Sequence, residues 1–215
     1  MKILLRAQRE VSFKSKARSL AQSVLTLILG LVLCSSECNP TPDGYQDGTQ
    51  QYPFHIKTAA DLKQLAAEVN GGDPKTGIYF LQINDIALDI APDGEGWEPI
   101  GRLYKPFKGH SKGASYKVTG LRITKPEESF VGLFGYLEGG SIQKLYVEID
   151  EKGGVTGNSE VGGVVGMVEN SSISECHTKG GAVAGNGWVG GVAGEVEESS
   201  ITYCNATGMV SGRKC

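Results

Sequence analysis

From Phe130 to Cys215, a stretch of 86 residues, the chain has no proline. Residues that carry chemistry are also scarce. The whole chain of 215 residues has five cysteines, two tryptophans and three histidines. His55, His110 and His177 are scattered and no Cys-x-x-Cys pair accompanies them, which argues against the clustered ligands of a zinc site. No Gly-x-Ser-x-Gly stretch occurs. The GGVVG and GGVAG segments look like fragments of a phosphate loop, but both lack the Lys-Ser/Thr ending and the helix that should follow. In NDIALDIAPDGEG, Asp85, Asp89, Asp93 and Glu95 gather acids without EF-hand spacing: with Asp89 as first ligand, Ala91 falls third and Ile100 twelfth. These acids read as turn formers, with a bound cation as the lesser alternative. No cofactor is expected. Asn170-Ser-Ser and Asn205-Ala-Thr are formal glycosylation sequons that carry little weight in a bacterial reading.

Long apolar runs are missing except at the start. Leu20 to Leu33 is free of charge, and the residues before it hold six Lys or Arg and one Glu. That is the n-region and h-region of a signal peptide, too short for a comfortable membrane span, so residues 1–33 predict export. Cys34 follows directly, where a bacterial lipoprotein carries its acylated cysteine. Leu33 is larger than the residue that normally precedes such a site, and cleavage near Ser35 or Ser36, or an uncleaved anchor, stay open. Cys38, behind Glu37, is a poorer candidate. Without the leader the chain keeps 15 basic and 23 acidic residues, a net of −8, which argues against nucleic acid as a partner. Residues 34–51 are polar and rich in turn formers, and read as a flexible tether.

Glycine and repetition are what the chain has in abundance. VGGVVGMVENSSISEC at 161–176 returns as VGGVAGEVEESSITYC at 189–204, and a worn copy, VGLFGYLEGGSIQKL, lies at 131–145. Gly135, Gly166 and Gly194 align, as do Ile142, Ile173 and Ile201, and Leu145, Cys176 and Cys204. The steps are 31 and 28 residues, and periods of this size belong to arrays whose units must stack to bury their apolar faces. Gly supplies 19 of the 86 residues from Phe130 on, a density that disfavours helical repeats, because an internal Gly costs about 1 kcal/mol against Ala. Short Val- and Ile-rich strands turned by Gly fit better. Stacked in one register, they predict a parallel β-solenoid with units at about 130–160, 161–188 and 189–215. Strands are expected near 161–168 and 172–178 around a turn at Glu169–Ser171, with the length difference taken up in an outward loop. Ile and Cys lie three apart, so if both face inward the strand must bend or bulge between them. Stacked Cys176 and Cys204 predict a buried thiol column, with a disulfide as the alternative.

Residues 52–129 read as an N-terminal cap with irregular first rungs. TAADLKQLAAEVNGG predicts a short helix with Thr58 as N-cap, Asp61 in capping-box position, Leu62, Leu65, Ala66 and Val69 on one face, and Gly71 as its stop. It is suited to cover the first coil. Trp97, Tyr104, Phe107 and Tyr116 cluster in these rungs, where they either fill wide coils as core or face a ligand; Trp188, in the return loop, is the better surface aromatic.

The ordered series FHIKTAADLKQLAAEVNGG, FLQINDIALDI, WEPIG, FKGHSKGASYKVTGLRI, VGLFGYLEGGSIQKLYV and two VGGVxGxVExSSIxxC units resembles the bacterial GLUG-motif repeat proteins over roughly residues 52–212. The resemblance implies a secreted or surface β-solenoid, of the kind found in adhesin-like and haemagglutinin-like proteins and as accessory segments of immunoglobulin-cleaving peptidases. It implies no catalytic residues. This chain has fewer repeats than such proteins often carry. Its third unit shows no visible cap, so it is either truncated or stacks its open end on a partner.

The combined expectation is an exported β-solenoid of the cell envelope, anchored in the outer membrane through Cys34 or held at the cell surface. It is expected to act as a non-catalytic adhesin-like or scaffolding module. Expected partners are a host glycan or extracellular protein, the membrane through the lipid anchor, and a second copy through end-to-end association. Trp188, Trp97 and Tyr104 are the candidate ligand contacts. The alternatives are a structural stalk or assembly subunit, and a carbohydrate-active enzyme fragment.

Overall fold

Short strands that cannot bury an apolar face alone do so by piling one coil on the next. The structure, a computed structural model, describes residues 44–91 and 94–212. The expected signal peptide, Cys34, Cys38 and Asp93 lie outside the described residues. From Gln46 onward the described residues belong to one compact unit, a parallel β-solenoid of about five turns. A six-stranded sheet runs from Phe54–Ile56 through Tyr79–Gln82, His110–Lys112, Ser141–Gln143 and Ser172–Ser174 to Ser200–Thr202. Beside it lie a five-stranded sheet ending at Asn205–Thr207, a four-stranded one ending at Val210–Gly212, and a three-stranded one of Phe134–Glu138, Val165–Glu169 and Ala193–Glu197.

The predicted register holds residue for residue. Ile142 pairs with Ile173 and Ile173 with Ile201, and Gly135, Gly166 and Gly194 follow one another beside the paired Phe134, Val165 and Ala193. The three-residue difference between the first two steps is placed by the pairings of Ile149 with Gly180 and of Val155 with Val183. The extra residues fall between Ile149 and Val155. There Asp150 turns the chain by accepting the amides of Lys152 and Gly153, so the insertion leaves the stack undisturbed.

Each coil turns at residues in the left-handed region. Lys144, Glu175 and Tyr203 have φ of 51°, 52° and 55°, and Asn170 and Glu198 stand at 47° and 44° where the first unit has Gly139 at 66°. A non-glycine residue there costs about 1 kcal/mol or more, and two things offset that cost at these corners. The apolar residues on either side turn inward, and small polar side chains knit adjacent coils. Ser171 Oγ donates to the Glu169 carbonyl and accepts the Gly140 amide of the preceding coil, while Ser199 Oγ does the same for Glu197 and Ser171. At the next corner Cys176 and Cys204 act alike, with Cys204 Sγ contacting the Thr202 carbonyl and accepting the Cys176 amide. The three-residue gap between Ile173 and Cys176 is therefore a left-handed corner at Glu175 rather than a bulge in a strand, and the expected strand 172–178 is two strands, Ser172–Ser174 and His177–Gly180.

The repeated glycine has a different task. A Cβ on Gly166 would sit 2.6 Å from the Glu160 carbonyl oxygen and 2.7 Å from that of Gly135, because the return loop closes against the strand at this point. On Gly135 the same atom would meet the Gly101 carbonyl oxygen at 2.2 Å. Only glycine admits so close an approach.

At the N-terminal end the predicted helix spans Ala59–Gly71, with Thr58 and Asp61 forming the capping box. It stops one residue later than expected, at Gly72, whose φ of 114° sends its amide back to the last turn. Leu62, Leu65, Ala66 and Val69 join the apolar core that contains Ile100 and Phe107, so the helix closes this end. Asn70 is the clasp: its side chain donates to the Pro99 carbonyl and accepts the Gly101 amide. The last residues assigned to the tether are folded, since Gly48 accepts the Tyr79 amide and the Gln46 side chain accepts that of His55. WEPIGRLYKPF, part of the irregular first rungs, contributes single bridges at Ile100 and Phe107 and a tight turn between them.

At the other end the inward columns come into the open. Ile173 is fully buried while Ile201, next in the same column, is 38% exposed. Ile173→Asp is expected to abolish cooperative folding of the array at neutral pH, because it places an unpaired charge in the column, a cost of at least about 3 kcal/mol. Ile201→Asp is expected to move the urea midpoint only slightly, and parallel denaturation of the two variants checks both outcomes.

Candidate functional site

With the interior filled by apolar columns, recognition falls to outward side chains. Trp97 is not one of them. It is 2% exposed and its indole donates to the Leu133 carbonyl at 3.0 Å, so it is core, as is Phe107. The wide first coils need bulk, and Phe80, Phe107 and Phe134 supply it as a stack with ring centroids 6.0 and 5.3 Å apart.

Tyr104 is the opposite case. It is 89% exposed at the tip of a tight turn closed by reciprocal Arg102 and Lys105 backbone hydrogen bonds of 3.0 and 2.8 Å. The two flanking side chains fasten the turn, since Arg102 and Lys105 both donate to the Asn70 carbonyl at the end of the helix. The φ of 64° at Tyr104 is held by those bonds. Beside the ring lies an open cleft of about 390 Å³ whose walls include Leu103, Pro106, Pro74 and Tyr136. The Lys108–Glu138 ion pair, at 2.7 Å, also borders it. Trp188 is 59% exposed in its return loop and takes no part in this cleft, so the structure does not bring the two aromatics together.

One outward feature escaped the sequence reading although its signal was there, in the Glu of each repeat. Glu138, Glu169 and Glu197 pair rung to rung and form a row of carboxylates. The Tyr136 hydroxyl donates to Glu169, and burial together with that carboxylate raises its pKa well above the ordinary phenol value. Glu195 lies near the row, and its carboxyl is pushed up by burial and by the charges of Glu160 and Glu197.

Elsewhere His110 stacks on Tyr79 at 4.3 Å, and its Nδ1 lies 2.9 Å from Ser141 Oγ on the next rung. Burial lowers the pKa of His110, which keeps the ring neutral at pH 7. A hydroxyl beside a neutral imidazole is half of a nucleophilic constellation, but no carboxylate orients the ring among the described residues. Of the acids weighed for calcium, Asp85 accepts the Lys117 amide and Glu95 joins Lys125, roles that belong to turns and ion pairs. Cys176 and Cys204 are free thiols, and burial foremost pushes Cys176 up to about 12.

Comparison with known proteins finds two sequence relatives and one solved structure of similar fold. No family model matches the chain. It is 32% identical over 139 residues to a provisionally named Gly-rich membrane protein of Evansella cellulosilytica, and 30% identical over 158 residues to Halomucin of Haloquadratum walsbyi. Each match takes in 59% of this chain, which spans only 15% and 2% of those two relatives. Among solved structures, a provisionally assigned immunoglobulin A1 protease from Bacteroides ovatus superposes with a TM-score of 0.50 at 19% identity, covering 76% of this chain and 59% of that one. The superposition bears on the fold alone, a parallel β-solenoid, which this chain builds from Gly-rich repeats.

The raised pKa of Glu195 carries a consequence for stability. A carboxyl whose folded pKa lies above its unfolded value binds its proton more tightly when folded, so the fold loses stability as pH rises from the ordinary carboxylate range through the folded pKa. Glu195→Gln is expected to raise the urea midpoint at pH 7, with the gain vanishing below about pH 4, where both side chains are neutral.

Proposed function

We propose that this chain is an exported module of the cell envelope, related to the GLUG-motif repeats, that binds a ligand on the outside of its coils without transforming it. The observation that carries this reading is Tyr104. An aromatic ring held far out in solvent by a closed turn, with both flanking cations pinned to the helix end, is arranged for contact in advance, and such an arrangement lowers the entropy cost of binding. The names of the relatives, a Gly-rich membrane protein and Halomucin, support a place at the cell surface. A glycan or an extracellular protein is the ligand class this surface suits, since a flat ring next to charged hydrogen-bonding groups serves either. A stalk or assembly subunit is the competing class, and a hydrolase working through His110 and Ser141 is the third.

One experiment separates the three. Residues 39–215 are screened against host glycans, mucins and matrix proteins, and any ligand is recovered for chemical analysis. Saturable binding of an unchanged ligand, weakened at least tenfold by Tyr104→Ala with no change in thermal midpoint, is the expected result. A cleaved ligand, with cleavage lost in Ser141→Ala, points to the hydrolase, and a folded protein that binds nothing points to the stalk.

Cys34 is the proposed site of lipid attachment, following an apolar segment that is long enough for a signal peptide. Cys34→Ala is expected to move the full-length protein from the membrane fraction to the soluble one. Persistence in the membrane fraction would remove the anchor from this account.

A further inference from the structure

One carboxylate in the array is buried with nothing to compensate it. Glu160 is 8% exposed, and no hydrogen bond or ion pair reaches its side-chain carboxylate among the described residues. Lys125, the other charged side chain buried among those residues, is met by Glu95, Glu98 and Glu128. A buried charge without a partner is costly, and one that persists calls for a reason other than packing. Packing does not require it here. The Val131 amide donates to the Glu160 carbonyl at 2.9 Å and the Val161 amide to the Trp188 carbonyl at 2.8 Å, so Phe130, Glu160 and Trp188 occupy one column. The coils before and after therefore place an aromatic residue where this coil has an acid.

The two repeat glycines next to Glu160 bring further side chains close. A Cβ on Gly166 would sit 2.6 Å from the Glu160 carbonyl oxygen, and one on Gly194 would sit 2.7 Å from its carbonyl carbon. The residues that follow them, Met167 and Glu195, thus start within one residue of Glu160. Met167 is 8% exposed, and the charge of Glu160 is one of those that push the Glu195 carboxyl up. Two carboxylates beside a thioether and an indole suit an organic cation. A ring face attracts an ammonium as the carboxylates do, whereas hard metal ions ask for a cage of oxygens. Depth narrows the choice, because a carboxylate this enclosed is reached only by a cation on a slender stem. A lysine has that stem, while a guanidinium is a broad plane and an amino sugar holds its ammonium against the ring.

We propose that Glu160, Glu195 and Trp188 form a binding site for a lysine side chain of a partner protein, its ammonium on the two carboxylates and its methylenes along Met167 and the indole. The site shares no residue with the cleft beside Tyr104, so the two stand or fall separately.

The isotope-labelled full chain is titrated with the peptide acetyl-GGKGG-amide, with the same peptide carrying norleucine for lysine, and with glucosamine. The chain has two tryptophans, and the Trp97 indole is buried on the Leu133 carbonyl, so the Trp188 indole N–H resonance reports the site. A saturable shift of that resonance with the lysine peptide is expected, with affinity for the norleucine peptide lower by at least about tenfold. Glu160→Gln is expected to lose at least about tenfold in affinity and to raise the thermal midpoint, since it removes an uncompensated charge. Tyr104→Ala is expected to change neither quantity, which keeps a failure here distinct from a failure of the cleft. A lowered midpoint in Glu160→Gln overturns the inference, because the carboxylate would then hold the fold together. Equal binding of the norleucine peptide, or tighter binding of glucosamine, also overturns it. So does binding that appears only when Arg213→Gln and Lys214→Gln are combined, because the carboxylates would then serve the chain's own cations.

Discussion

Everything in this fold depends on hydrogen bonding between neighbouring coils. A strand of three residues such as Ser172–Ser174 has no stability of its own, and its backbone groups are satisfied only by the strands above and below. Helices satisfy their backbone internally and can stand apart, whereas a rung cannot. The corners show how far the constraint reaches. There the ladder is interrupted and the backbone enters the left-handed region, and the amides left over by the interruption are taken up by Ser171, Ser199 and Cys204 from the following coil. A thiol doing the work of a hydroxyl explains why a cysteine and a serine occupy equivalent places without any redox or metal chemistry being called on. Each is small, turns inward or along the corner, and offers both a weak donor and an acceptor.

The parts of this architecture legible in the sequence are those that depend on register. Glycine, isoleucine and cysteine positions could be matched across units because a parallel stack places like on like, and the match predicted the pairing of Ile142, Ile173 and Ile201. The helix was legible because its capping box and apolar stripe are local signals. The left-handed corner at Glu175 was not, since nothing in a lysine, a glutamate and a tyrosine at positions 144, 175 and 203 announces a shared conformation. The division of each unit into more strands than expected follows from that omission. Trp97 and Tyr104 illustrate a second limit. Both are aromatics within one short segment, yet one fills the core and the other stands in solvent. What separates them is the tight turn between Arg102 and Lys105 and its attachment to Asn70, a contact across 32 and 35 residues that local pattern does not carry. The end assigned to the tether was misread for a similar reason: its polar composition suits a linker, but Gln46 and Gly48 bond to Phe54–Ile56 and its neighbouring strand.

A stack in register has a cost that the outer surface must manage, because any charge written into the repeat is repeated a rung away. The row of Glu138, Glu169 and Glu197 is the result. At about 4.8 Å between rungs, like charges repel appreciably even near water. The first is neutralised by Lys108 and the second accepts the Tyr136 hydroxyl, while the third has no comparable neighbour among the described residues. Relief is thus greatest where the coils are followed by further coils and least at the exposed end. The same is true of the apolar columns and of the corner amides. Within the array, charge, apolar burial and corner hydrogen bonding are thus each completed by the rung that follows. Each rung is completed by its successor, so the demand for a following rung is built into the repeat itself, while the helix removes any equivalent demand from the opposite end.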